Sequence, residues 1–219
     1  MMFAAMNVFA ILGTLMYMML GLLALWGAFC VVMVWSRVRE KRFRNEDEQS
    51  EFLDALDRPV RHGDFDSAES MLEGDRRAMS QLALLAVLNR HIGYSKVRQL
   101  LVDRFQRDVL ADLEYRLNWV NTVIKSAPMV GLLGTVMGMM GAFKTLATET
   151  NVKPEQLAGD ISFALVTTAL GLAIAIPLLL ATASINVRIR KMEDLVAAGL
   201  TRFLETFRNG LLAAGERSK

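Results

Sequence analysis

Charge is missing from two long stretches of this chain. Residues 1–35 contain no Asp, Glu, Lys, Arg or His, and neither do residues 161–187. In 219 residues with 22% charged and 53% hydrophobic residues and a mean hydropathy of +0.30, such segregation argues against an ordinary soluble domain and for membrane-spanning helices. Cysteine is nearly absent as well. Cys30 stands alone, which excludes an intrachain disulfide and any CxxC metal knuckle. The two histidines, His62 and His91, lie apart in the polar region, whereas zinc wants three or four ligands at defined spacing, so neither a metal nor a cofactor is expected. A net charge of +2 lacks the concentrated basic excess of a phosphate-binding surface, which argues against nucleic acid as a partner. No nucleophile elbow, HExxH or P-loop occurs, so the chain does not read as an enzyme.

Three apolar spans are present instead. The first run, 3–35, would be roughly 50 Å long as a helix, more than a hydrocarbon core of about 30 Å requires. Its membrane part is expected near 12–35, with 2–11 lying along the outer interface or extending the helix. A cleaved leader does not fit, because no basic segment precedes the run and its apolar part is too long. Arg37, Arg39, Lys41, Arg42 and Arg44 follow at once and mark this side as cytoplasmic, which places the N-terminus in the periplasm. The organisation expected is an N-terminal segment and first span at 1–35, a cytoplasmic helical domain at 36–125, a second span at 126–148, a short periplasmic loop at 149–160, a third span at 161–187 and a cytoplasmic helical tail at 188–219. Arg188, Arg190 and Lys191 return the C-terminus to the cytoplasm. Lys144, a turn from the outer end of the second span, can reach water along its own stem.

The polar regions read as helical. A helix is expected over 46–57, stopping before Pro59, because proline disfavours helical backbone in the residue preceding it. Asp66 and Glu69 have capping-box spacing and would open the next helix, which Gly74 closes. From Tyr94 to Pro128 there is no Pro or Gly, and Leu110, Leu113, Leu117, Val120 and Ile124 recur at spacings of 3, 4, 3 and 4, so one helix should run on into the membrane. A comparable apolar stripe follows the third span, predicting a helix over about 154–208 that bends at Pro177.

The spans have an unusual composition. In VGLLGTVMGMMGAF, Gly131, Gly134, Gly138 and Gly141 share one helical face; in FALVTTALGLAIAIP, Ala164, Thr168, Gly171 and Ala175 do the same. Small residues at such spacing let helix backbones approach closely in lipid. Thr135, Thr167 and Thr168 add hydroxyls, which can bond the carbonyl four residues back or line a narrow wet passage. No Asp, Glu or His lies deep in a span, so any proton relay would need a carboxylate from a partner.

APMVGLLGTVMGMMGAF followed by ISFALVTTALGLAIAIP resembles the paired core helices of the ExbB, TolQ and MotA proton-channel family. The three-span layout is similar to ExbB and TolQ over essentially the whole chain; MotA-type stators have four spans. The resemblance implies an all-α membrane protein with long helices extending into the cytoplasm of a bacterial cell, inserted in the inner membrane and assembled as a homopentameric ring. It further implies two copies of an ExbD- or TolR-like single-span partner inside the ring, whose aspartate carries the ion. Thr135 and Thr168 correspond to the family's pore threonines. The family commonly has a glutamate five residues before the second of these, where this chain has Phe163. An ion-driven motor subunit is thus the expected function, with Thr135, Thr168 and Thr167 on the ion pathway and Gly131, Gly134, Gly138, Gly141, Ala164, Gly171, Ala175 and Pro177 shaping it. The alternative is a passive oligomeric scaffold in which the same small residues serve packing only. Nothing in the residues separates a proton from sodium as the ion.

Overall fold

The computed structural model describes Met2–Thr148 and Pro154–Arg217, and every regular element among these residues is helical. The helices are α1 (Met2–Lys41), α2 (Glu46–Arg61), α3 (Phe65–Leu72), α4 (Ala78–Leu88), α5 (Tyr94–Arg104), α6 (Ala111–Thr148) and α7 (Pro154–Arg217). Three stretches, Gly13–Lys41, Tyr94–Ala147 and Pro154–Ala214, are helical, long and apolar enough to cross a membrane. This is the all-α, three-span architecture expected. The segment 149–153 of the predicted periplasmic loop lies outside the described residues, and 154–160 form the first turns of α7.

The chain divides into two compact units, one of Met1–Met33 with Arg116–Ser184 and the other of Val34–Tyr115 with Ile185–Lys219. In the first, α1 packs Met16 and Leu20 against Val130 of α6, with Leu23, Met137, Phe163 and Ile174 around them. Trp26 and Trp119 meet edge to face at 6.4 Å. Large apolar side chains such as Leu132, Met140, Phe143, Leu165, Ile176 and Leu180 point outward, as lipid-facing or subunit-facing surfaces do.

The second unit has an ordinary apolar core. Leu53, Leu56 and Val60 of α2, Leu72 of α3, Met79 of α4 and Leu101 of α5 are buried together with Phe203 and Phe207 of α7. Phe207 stacks on Phe203 at 5.8 Å and meets the Phe65 ring at the same separation. Charged groups tie the helices at the edge of this core: Arg202 of α7 bonds Asp54 and Asp57 of α2, and Thr206 donates to Asp57 at 3.0 Å.

Three local expectations are corrected. Helix α2 does not stop before Pro59 but carries it inside and ends at Arg61, because Val60 is fully buried and the turn is closed by the Asp64 amide donating to the Pro59 carbonyl at 2.9 Å. The cap of α3 is Asp64, whose carboxylate accepts from the Ser67 amide at 3.2 Å, and Asp66 sits within the first turn. The run from Tyr94 is continuous, but Phe105–Leu110 is π-helical. Beyond it Leu113, Leu117 and Val120 are buried as the stripe requires, but Val123 takes the next inward place instead of Ile124, as an α-helix of 3.6 residues per turn drifts against a 3.5-residue repeat. Gly74 does close α3, with φ +84°.

Candidate ion pathway

The predicted glycine and threonine faces meet each other. On α6, Gly131, Gly134 and Gly138 lie against Ala164, Thr167 and Thr168 of α7; a Cβ added to Gly131 would stand 2.8 Å from the Thr167 carbonyl oxygen, and one on Gly138 would stand 2.7 Å from the Ala164 methyl. Gly171 reciprocates from α7, where a Cβ would stand 2.6 Å from the Ala127 carbonyl oxygen. No side chain fits at these crossings. Two further residues predicted to share the face differ in detail: Gly141 has room for a methyl group, and Ala175 is buried. Pro177 is on the exposed side of a helix that continues through it.

The three threonines divide between inside and rim. Thr167 is fully buried between α6 and α7, and its hydroxyl is within bonding distance of the carbonyls of Ala164 (2.9 Å), Phe163 (3.1 Å) and Gly131 (3.4 Å). Its surroundings are those of a packing residue. Thr135 and Thr168 are half-buried, their oxygens 2.5 Å apart, and the Gly131 carbonyl lies 3.0 Å from Thr168 Oγ1 and 3.3 Å from Thr135 Oγ1. A hydroxyl has one proton and two lone pairs. Whichever threonine donates to the other, the second proton goes to the Gly131 carbonyl, so both protons are consumed within the chain. With both protons so used the pair has lone pairs left to offer, which suit a cation or a proton donor.

Two side chains near this strip were not placed from spacing alone. Phe163, at the position where the family commonly has glutamate, turns to α1, where its ring meets Tyr17 edge to face at 5.5 Å and covers Gly13. Asp160 continues the α7 face one turn before Ala164, and its carboxylate lies 3.5 Å from where a Gly141 Cβ would stand. It is half-buried and makes no hydrogen bond or ion pair among the described residues. Asp160 falls in both the expected loop 149–160 and the expected helix 154–208, and its spacing of four from Ala164 is the signal that could have singled it out. Among the described residues no group of His, Cys, Asp and Glu could hold a metal.

Known proteins resemble this part of the chain in sequence. The profile of the MotA/TolQ/ExbB proton channel family matches residues 76–197, which include α6 and α7 as far as Ala197. The biopolymer transport protein ExbB of Helicobacter pylori is 41% identical over 102 residues, covering 47% of this chain and 70% of that protein. ExbB of Aquifex aeolicus is 34% identical over 118 residues, or 53% of this chain and 76% of that one. The Tol-Pal system protein TolQ of Haemophilus influenzae is 30% identical over 129 residues, 59% of this chain but only 46% of TolQ. A membrane-spanning helical protein with a neutral, hydroxyl-bearing helix pair is the class these features define. The chain belongs to the MotA/TolQ/ExbB proton channel family.

Proposed function

We propose that this chain is the ring-forming, ion-conducting subunit of a bacterial inner-membrane motor, with a periplasmic N-terminus and a cytoplasmic C-terminus. Five copies surround one helix from each of two ExbD/TolR-like partners, and a partner aspartate carries the ion, most simply a proton. The observation that carries this reading is the Thr135–Thr168 pair, half-buried and 2.5 Å apart, with only lone pairs left to offer. A proton donor or a partly dehydrated cation is stabilised by those oxygens without being trapped by a fixed charge. Asp160, about two turns from Thr168 toward the outer end, concentrates cations ahead of the threonines. Transfer past the pair to the partner's carboxylate neutralises it, and the change of charge lets the partner move relative to the ring.

The test is proton uptake into liposomes holding this chain together with an ExbD/TolR-like partner. Thr168→Ala is expected to assemble normally and to lower uptake about fivefold or more, the cost of an acceptor worth about 1 kcal/mol. Asp160→Asn should raise the ion concentration giving half-maximal uptake and leave the maximum in place. Unaltered uptake in Thr168→Ala removes the threonine pair from the pathway. The passive scaffold draws support from the packing of Thr167 and the glycines, and uptake that is the same with and without the partner would favour it.

A further inference from the structure

We infer that an arginine-lined pocket in the second unit binds the phosphate of an anionic phospholipid headgroup. The pocket has a volume of about 530 Å³ and is lined by Trp35, Arg39, Arg42 and Arg44 from the end of α1 and beyond, by Glu48 of α2 and by Arg188 of α7. At about 30 Å³ per water molecule, this space exceeds what one bare ion requires. Its position follows from the sequence. Trp35 stands two residues before Arg37, the first charge after one charge-free stretch, and Arg188 is the first charge after the other, so the pocket lies where both stretches leave hydrocarbon.

Basic residues at such a boundary orient a membrane protein wherever their side chains point, so position alone does not make a site. Their gathering around one cavity, with few partners of their own, does. Arg37 and Arg76 are tied to Glu40, Arg77 to Asp75, and Arg202 to Asp54 and Asp57. In the pocket, by contrast, Arg39 and the Arg44 side chain make no hydrogen bond or ion pair among the described residues, and Arg42 donates to the Arg44 carbonyl at 3.0 Å. The Arg188 guanidinium lies over the Trp35 ring, 4.2 Å from its centre. Glu48, the one carboxylate present, is already taken by the Arg77 guanidinium at 3.0 Å and the Arg44 amide at 2.9 Å. Four arginines thus line one cavity whose single carboxylate is engaged by Arg77 and the Arg44 amide. Planar guanidinium forks match phosphate oxygens, and a tryptophan at headgroup depth completes a site for a lipid phosphodiester.

The test uses the full chain with Trp26→Phe and Trp119→Phe, so that fluorescence reports Trp35 alone. In nanodiscs, brominated phosphatidylglycerol should quench Trp35 at several-fold lower mole fraction than brominated phosphatidylcholine. Arg39→Gln with Arg188→Gln should weaken that preference by about tenfold or more, each arginine near an anionic lipid surface being worth about fivefold. Arg44→Gln, on an exposed side chain, should keep the fold and still weaken it about fivefold, should the double variant not fold. Equal quenching by the two lipids, or a preference untouched by these substitutions, overturns the proposal. Displacement of the brominated lipid by low-millimolar inorganic phosphate would also overturn it, assigning the pocket to a free anion.

Discussion

Helix α7 runs through both units and packs by opposite rules in each. In the unit of Val34–Tyr115 with Ile185–Lys219 it meets its neighbours through Phe203 and Phe207, and ion pairs such as Arg202 with Asp57 hold the edge. In the unit of Met1–Met33 with Arg116–Ser184 it meets α6 through Ala164, Thr167 and Gly171, where one added methyl would collide with backbone. Apolar burial drives the first contact. It cannot drive the second, because lipid is as apolar as any side chain, and stability must come from close backbone approach and from hydroxyls bonded to carbonyls. The difference would let the proposed hydroxyl-lined pathway coexist with a stable protein: the groups that offer oxygens at the rim belong to the same interface that holds the helices together.

If that contrast is right, truncating a large residue should be worst in one unit and enlarging a small one worst in the other. Phe207→Ala is expected to cost about 4 kcal/mol, the usual cost of emptying a buried phenylalanine site, and to lower the thermal midpoint in detergent accordingly. Gly171→Val should follow at about 3 kcal/mol by overpacking, with α6 and α7 forced apart. Its signature is loss of oligomer and of partner-dependent ion uptake before loss of helix content by circular dichroism. A Gly171→Val protein that keeps its midpoint and its uptake would break the comparison, since the close crossing would then contribute nothing.

A smaller effect is expected from pH. In the second unit Asp75 accepts from the Arg77 guanidinium at 2.7 Å and from the Ser80 hydroxyl at 2.6 Å. Burial pushes its carboxyl up, but the bonds from Arg77 and Ser80 outweigh burial and hold it below the ordinary carboxylate value. A carboxyl that titrates lower in the folded state contributes stability above the unfolded value of about 3.9 and loses it as pH falls through the folded one. Thermal midpoints measured from pH 5 downward should therefore drop, and Asp75→Asn should lose stability at pH 7 while flattening that drop. An equally steep acid limb in Asp75→Asn would assign the acid sensitivity to other carboxyls.

The two units also differ in how much could be read from sequence. Missing charge and the glycine spacing announced the spans and the small-residue faces, because lipid imposes both directly on composition. The division of labour among the threonines was not legible. Thr167 and Thr168 are adjacent and chemically identical, and only the angle at which α6 crosses α7 buries one and leaves the other at the rim. Phe163 could not be placed for the same reason, since its neighbour Tyr17 is far away in sequence. In the second unit the stripes of α2 and α7 were readable, but the end of α2 was not: burial of Val60 carried it past Pro59.

Gly141→Ala carries the smallest expected effect and is the sharpest control on the close-approach argument. It shares a helical face with Gly131, Gly134 and Gly138, so a rule based on spacing alone predicts the same damage at all four. A Cβ there would meet nothing nearer than the Asp160 carboxylate, at 3.5 Å, which is ordinary contact. The substitution should therefore be neutral or slightly stabilising, by about 0.5 kcal/mol, as alanine replaces the poorer helix former. By lying over the Asp160 carboxylate it should alter ion uptake more than thermal midpoint. Destabilisation equal to that of Gly138→Ala would mean that α6 and α7 stay in close contact out to Asp160, leaving no room there for a hydrated cation.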